Sequence, residues 1–386
     1  MSYIAAMVSG GRRQRGDDLV LAALARAPGS SRTELAQACG LSRSAVAETV
    51  AGLVRTGRVQ EVPAPAVPGR RGRRPMVLVP GRTGGVVIGL DLGHAHLAAA
   101  VADGTGAVLA MERQQADVDG DAAGALDAAG QLVIVLLARL GLTRADVAGA
   151  AVGLPGPVDL RHAVRSRSIL GDWVDLDPAA EFAERLGVPV QVGNDADLGA
   201  LGELRFGGAR GQSDVLYVKA SHGIGAGLVL GGRSYRGATG LAGEIGHTQV
   251  PSAAGWCRCG NRGCLETLVS VGQLRRQLAL VRPAGSGSGE LDDRDPVAAR
   301  VLREAGQTVG QVVAGLCNAL NPGLVLLGGE LGVSGRSFVA GVREAVARFA
   351  QPATSAALVV RPAALGLQAE VLGAVALALS SAHAAP

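Results

Sequence analysis

Residues 244–266 read EIGHTQVPSAAGWCRCGNRGCLE, and no other stretch restricts the fold of this chain so narrowly. One His, three Cys and two Glu fall within 23 residues, and His247 precedes a Cys257-x-Cys259-x4-Cys264 cluster by ten positions. A closed tetrahedral zinc site takes four N or S ligands, with Cys3His among its standard sets. Thiolates select a soft metal over Mg²⁺ or Ca²⁺. The spacing therefore predicts a loop folded back on one Zn²⁺ through His247, Cys257, Cys259 and Cys264, with Gly255, Gly260 and Gly263 relieving backbone strain. Four protein ligands leave no position for a reactive water, so the ion is expected to be structural. The alternative is a set of buried reduced thiols beside a loop histidine.

Charge divides the chain unevenly. Residues 1–85 carry 13 Arg against Asp17, Asp18, Glu34, Glu48 and Glu61, a net +8, so the rest must carry −4 to reach the total of +4. A basic segment on an acidic body suggests a polyanion-binding module joined to something else. The 386 residues allow two or three domains, and 48% apolar content suffices for large cores, built from Ala, Val and Leu because aromatics are only 2%. The single lysine, Lys219, among 36 arginines reads as a codon-composition effect. Five cysteines, odd in number and mostly clustered, argue against a disulfide scaffold and for a reducing cytoplasm. The longest apolar run, Leu132–Ala138, reads as part of a core helix and is too short to span a bilayer, so no membrane partner is expected. No basic segment precedes the apolar residues at the start, which argues against a signal peptide.

Residues 1–16 are polar and Arg-rich and are expected to be disordered. Residues 17–60 carry helical periodicity. Leu19, Val20, Ala23 and Leu24 fit one helix ending near Pro28-Gly29, Ser31 or Thr33 can cap a second over Glu34–Cys39, and Gly40 makes a sharp turn. Ser42 caps a third helix with Val46, Val50, Leu53 and Val54 on one face, stopping at Gly57. Two short helices across a tight Gly turn make a helix-turn-helix. Val59–Val62 and Met76–Val79 read as strands flanking the basic, Pro-rich wing PAPAVPGRRGRRP. In such a module the third helix enters the major groove of double-stranded operator DNA by its N-terminal residues, here Ser42, Arg43 and Ser44. Arg70, Arg71, Arg73 and Arg74 of the wing can reach phosphates or an adjacent minor groove. The competing reading is a three-helix interaction domain with a solvated basic loop.

From Gly84 the pattern becomes α/β. VVIGLDLG is a strand running into a Gly turn, strands follow at 98–102 and 107–111, a helix covers about 121–140, and Val147–Gly153 is a strand. A related unit recurs as strand Val215–Lys219, loop SHGIGAG and strand Leu228–Leu230, which suggests a duplicated architecture. PAGSGSGELD at 283–292 reads as a flexible surface insertion. Helix Ala298–Leu320, strand Leu324–Leu327 and an Ala-rich C-terminal helix complete the body. Asp91 and Gly93 at one strand end, and Gly223, Gly225 and Gly227 in another turn, are candidates for phosphate loops, where backbone N–H groups approach phosphate oxygens. Plain β-turns explain either loop equally well. Asn194-Asp195 follows a strand read over Val188–Val192; an amide beside a carboxylate suits a vicinal diol, and Asp195 can serve as base in phosphoryl transfer. The competing reading is a helix N-cap before 198–204. Glu244 and Glu266, carried by the metal loop, can accept from sugar hydroxyls, and His247 can offer one ring nitrogen to the metal and the other to a hydroxyl.

Together these motifs resemble the ROK family (repressor, open reading frame, kinase), in the subgroup with an N-terminal winged helix. The resemblance runs from about Asp17 to Val375 and rests most on GEIGH…CRCGNRGCLE, with GLPGPVD (153–159), GNDADLGALGE (193–203), GIGAGLVLGG, YRGATGLAGE and NPGLVLLGG (321–329) in support. It implies a winged helix-turn-helix over 17–82 and, over 83–386, a two-lobed actin-like, ribonuclease H-like duplicated sugar kinase fold. It implies a sugar bound by Asn194, Asp195, Glu244, His247 and Glu266, zinc on His247, Cys257, Cys259 and Cys264, and Asp195 as catalytic base in any kinase. Family kinases carry Asp-x-Gly-Gly-Thr in the first phosphate loop and Gly-Thr-Gly-x-Gly in the second; this chain has Asp91-Leu92-Gly93-His94-Ala95 and Ser221-His222-Gly223-Ile224-Gly225. Both loops lose a Gly-Thr pair while the sugar positions match, which favours a cytoplasmic, sugar-responsive repressor, a homodimer or homotetramer on a palindromic operator. The alternative is an ATP- and Mg²⁺-dependent kinase of hexoses or N-acetylhexosamines with an accessory DNA-binding domain.

Overall fold

The computed structural model describes residues 16–17, 19–24, 27, 29–55, 59–63, 75–80, 85–251, 253–281 and 290–382. The expectations for residues 1–15, the wing loop with Arg70, Arg71, Arg73 and Arg74, the helix stop at Gly57 and most of the 283–292 insertion lie outside these residues. Gly16, expected to be disordered, is helical. The chain divides into two compact units, one drawn from 1–87, 102–109 and 145–148, the other from 88–101, 110–144 and 149–386.

The first unit contains the helix-turn-helix. Ser31 caps helix Arg32–Cys39 in a reciprocal box: its hydroxyl accepts from Glu34 N at 3.3 Å, and its own N–H donates to the Glu34 carboxylate at 2.7 Å. Gly40 ends that helix at φ 64°, a left-handed conformation that glycine adopts without penalty. Ser42 Oγ accepts from Ala45 N at 3.2 Å at the start of helix Arg43–Arg55. Val46, Val50 and Leu53 are buried with Val20, Leu24 and Leu35. Val54, expected on the same face, is 37% exposed, because it falls about 80° round the helix from Val46, at the edge of the stripe. Strands β1 (Val59–Pro63) and β2 (Met76–Pro80) pair antiparallel, and Leu78 of β2 joins the helical core.

Ten further strands form two five-stranded sheets. They are β3 (Val86–Gly93), β4 (His96–Ala102), β5 (Val108–Gln115), β6 (Val147–Leu154), β7 (Val190–Asn194), β8 (Val215–Ala220), β9 (Ile224–Leu230), β10 (Arg233–Tyr235), β11 (Leu324–Gly328) and β12 (Val359–Pro362). The sheet orders are β5-β4-β3-β6-β7 and β10-β9-β8-β11-β12. The second repeats the first strand for strand, which is the expected duplication. Strand β7 starts later than Val188 because Pro189 has no N–H to give; its carbonyl still accepts from Ala150. The strand then runs on to Asn194, delivering that residue to the start of helix Asp195–Arg205. Helix Ala122–Arg139 has the length and mean hydropathy (1.5) of a membrane span, but half of it is buried inside the protein, as a core helix would be.

Helix Asp195–Arg205 is held by close backbone contacts on two sides. Gly225 and Gly227 of β9 lie against Ala196 and Ala200. Opposite, helix Ala369–Ala382 crosses so closely that a Cβ on Gly373 would fall on the Leu198 carbonyl, and one on Gly202 on the Ala369 carbonyl. Backbone cannot yield as a side-chain tip can. Gly373→Ala should therefore destabilise by about 3 kcal/mol, the upper range for overpacking. Gly315→Ala, in helix Pro296–Leu320 with open space at the Cβ, should instead stabilise by up to about 1 kcal/mol. Urea unfolding of both variants measures the contrast; equal midpoints would mean the crossing is not tight.

Candidate functional site

The metal loop closes as its spacing requires. His247 ends a short 3-10 turn, Ile245–His247, and Cys257, Cys259 and Cys264 follow in a loop tied by bridges Gln249–Cys264 and Trp256–Arg262. The four donor atoms lie within 4.8 Å of one another. His247 Nδ1 is 3.6 Å from Cys257 Sγ, and Cys259 Sγ is 3.7 Å from Cys264 Sγ. A tetrahedral Zn²⁺ with its usual bond lengths requires about 3.5 Å for an N–S edge and about 3.8 Å for an S–S edge. The donor set fits the ion. Gly260 and Gly263 have φ of 92° and 85°, whereas Gly255 makes no such demand and a Cβ there would meet only ordinary contacts. The other nitrogen of His247, Nε2, faces Glu244 Oε2 at 3.7 Å.

One cavity in the second unit is lined by all five sugar candidates, Asn194, Asp195, Glu244, His247 and Glu266. Asn194 is also the helix N-cap: its Oδ1 accepts from Ala196 N at 2.8 Å and Asp197 N at 3.2 Å, and its Nδ2 donates to Gly156 O at 3.0 Å. Asp195 Oδ1 accepts from Ala196 N at 2.7 Å, and Oδ2 accepts from Lys219 Nζ at 2.5 Å. Glu266 accepts from Ile224 N at 3.2 Å and from Arg258 Nε at 3.4 Å. Burial, then the neighbouring carboxylates of Asp195, Glu266 and Asp197, push the Glu244 carboxyl up to about 7.

The phosphate-loop candidates fare differently. Asp91 is 1% exposed and does not line the cavity; its Oδ2 accepts from His96 Nε2 at 2.8 Å. The His96 ring lies where a Cβ on Gly93 would be, so a side chain covers the backbone that phosphate oxygens would approach. Gly225 and Gly227 are in β9, paired with Lys219 and Tyr217 of β8, and serve helix packing; only Gly223 belongs to a loop. Beside it, His94 Nδ1 donates to Asp119 at 2.7 Å, and Arg258 reaches both Asp119 and Glu266. Lys219, His96, His222 and Arg258 all line the cavity, and motif reading missed each of them. The signal for Lys219 was available, since a residue type used once in the chain stands inside the site.

On the helix-turn-helix, Ser42, Arg43 and Ser44 are exposed at the start of helix Arg43–Arg55. Ser42 Oγ and Ser44 Oγ are 3.0 Å apart, so the two hydroxyls share a hydrogen bond, and Arg43 between them is exposed.

Comparison with known proteins agrees with this arrangement. The ROK family model matches residues 87–381, and the IclR helix-turn-helix domain model matches residues 19–63. The chain belongs to the ROK family and carries an IclR-type helix-turn-helix at its N-terminal end. It is 30% identical over 376 residues to a putative xylose repressor of Caldicellulosiruptor sp. (strain Rt8B.4), covering 92% of this chain and 93% of that one. A solved ROK family transcriptional regulator, a homologue of E. coli MLC, superposes with a TM-score of 0.75 at 24% identity over 96% of both chains. A ROK glucokinase from Streptomyces griseus, solved with glucose and AMPPNP, superposes with a TM-score of 0.67 at 29% identity, over 77% of this chain and all of that one.

Two measurements test the site. Cys259→Ser should purify without stoichiometric zinc by elemental analysis and melt at lower temperature, because structural zinc contributes folding free energy; a variant that keeps its ion would remove Cys259 from the ligand set. The second concerns Asp197, 5% exposed, where burial outweighs the Arg236 partner at 3.2 Å and pushes the carboxyl up to about 7. An acid whose pKa is higher folded than unfolded stabilises the fold while protonated. That contribution is complete below the ordinary aspartate range and is lost as pH rises through about 7. Stability should fall between pH 4 and pH 8 by on the order of 4 kcal/mol from this group, and Asp197→Asn should flatten that part of the profile. An unchanged slope in the variant would assign it elsewhere.

Proposed function

We propose that this protein is a sugar-responsive transcriptional repressor. Residues 17–82 act as the winged helix on a palindromic operator and 83–386 as the sensor. The observation that carries the reading is a single cavity uniting five sugar-type residues with a Cys3His loop, while the His96 ring covers Gly93 of the first phosphate loop. Asn194, Asp195, Glu244, His247 and Glu266 hold the sugar. Zn²⁺ on His247, Cys257, Cys259 and Cys264 fixes the loop that carries two of them. Arg43, with Ser42 and Ser44, reads base edges, and Arg70, Arg71, Arg73 and Arg74 contact phosphates. The protein works in the cytoplasm as a homodimer or homotetramer, matching the symmetry of its half-sites. The named activity of the Caldicellulosiruptor relative makes D-xylose the first effector to try, and the glucose held by the glucokinase makes D-glucose the second.

A ligand releases DNA only if it binds the released state more tightly. Operator binding is therefore titrated with D-xylose, D-glucose and N-acetylglucosamine alongside melting temperature. The sugar that stabilises the protein should weaken operator affinity at least tenfold; a stabilising sugar that leaves affinity unchanged counts against a repressor switched in this way. Arg43→Ala should cost about 1–3 kcal/mol on the specific operator and much less on unrelated DNA. Equal losses on both would make Arg43 a phosphate contact.

A second reading, an ATP-dependent sugar kinase, is favoured by the retained Asp195 and by the likeness to the glucokinase. ATP turnover on these sugars that vanishes in Asp195→Asn would establish it.

A further inference from the structure

Lys219 is the only lysine in a chain with 36 arginines. It lies near the end of β8, just before the Ser221–Gly223 loop, and its side chain is 12% exposed. Burial opposes its charge, but the carboxylates of Asp195, Glu370 and Asp91 together outweigh that effect and hold the ammonium above the usual lysine range. One of the three, Asp195, accepts directly at 2.5 Å. Glu370 is held in turn by the buried Tyr217 hydroxyl at 2.8 Å. An ammonium is a compact point charge with three rotatable donors, whereas a guanidinium is a planar fork needing more room. Lys219 on β8 meets Asp195 at the helix start through one such donor.

The consequence falls on Asp195. Both of its oxygens already accept, one from Ala196 N–H and one from the ammonium. A base in phosphoryl transfer must take up a proton from the attacking hydroxyl; here that proton would arrive on a carboxylate already hydrogen-bonded to a buried cation. A remaining lone pair can still accept a hydrogen bond from a sugar hydroxyl without proton transfer. We propose that Lys219 is a positioning residue that fixes Asp195 as a permanent hydrogen-bond acceptor for a sugar hydroxyl and withdraws it from service as a base. This rests on the repressor reading of the same cavity and supplies a reason, at the carboxylate itself, for a site that senses sugar.

Because the lysine is unique, growth on [13Cε]lysine gives one side-chain resonance in the full-length, zinc-loaded protein. The resonance should remain in the charged form through about pH 10.4, where an ordinary lysine is half-titrated, and it should shift on addition of whichever of D-xylose or D-glucose raises the melting temperature. In Asp195→Asn its midpoint should fall. Lys219→Met should weaken that sugar's binding at least tenfold, with Lys219→Arg failing to restore it; if Lys219→Met does not fold, the resonance of the unsubstituted protein decides alone. An ordinary midpoint, or a resonance unmoved by a stabilising sugar, overturns the proposal. The repressor reading is judged separately, by operator release in the unsubstituted protein. Release with an unperturbed lysine sinks only this inference, and a charged, sugar-responsive lysine without release sinks only the repressor.

Discussion

The close seating of helix Asp195–Arg205 is the constraint on which the cavity depends. Two glycines of β9 on one side, with only the methyl groups of Ala196 and Ala200 between, and the backbone-to-backbone Gly202–Gly373 crossing on the other leave no long side chain to adjust the spacing. That fixes the start of the helix relative to β7 and β8. Asn194 then caps the helix with its carbonyl oxygen and ties it to Gly156 with its amide nitrogen, so its identity is set by the fold before any ligand is considered. Asp195 follows at the first helical position, facing β8 and its lysine. The residues with the strongest chemical character in this half are thus delivered by packing of the smallest ones.

The opposite wall is built by different physics. No large apolar residue anchors the 253–264 loop; Trp256 is 76% exposed. Short backbone bridges and four convergent N and S donors replace a hydrophobic core, which a metal ion can do and dispersion cannot at this size. Glu266 begins the short helix Glu266–Val269 two residues after Cys264, and Glu244 precedes the turn that ends in His247. Each acid is therefore within three residues of a candidate ligand. Removal of an ion held by these four donors would disturb the placement of both carboxylates at once.

Much of this was legible in the sequence because the constraints are local. A Cys-x-Cys-x4-Cys spacing, a Ser31…Glu34 capping box and a Gly40 turn each express geometry over a few residues, and each recurs in the structure. The duplicated sheets were foreshadowed by two strand–Gly-loop–strand units. What motif reading missed was contact at long range. His96 over Gly93 and the Lys219–Asp195 pair arise from chain folding, and Lys219 was set aside as a composition effect because nothing within its own segment marks it. Gly225 and Gly227 were read as loop residues from their motif, although their spacing of two equally fits the alternation of a strand lying on a helix. Val54 lies at the edge of the stripe that Val46, Val50 and Leu53 bury.

Charge balance inside the cavity bears on what can enter it. Lys219 is paired with Asp195, His96 with Asp91, His94 with Asp119, and Arg258 with Asp119 and Glu266. A polyphosphate would have to compete with carboxylates for Lys219 and Arg258 and would leave Asp195 buried and uncompensated, a cost that rises steeply as water is excluded. A neutral polyol makes no such demand. Its hydroxyls both donate and accept, so they can join existing charge-assisted hydrogen bonds without breaking the pairs. The same pairing that disfavours a polyphosphate therefore leaves room for a neutral polyol, and the two altered phosphate loops act in the same direction, as the proposed repressor requires.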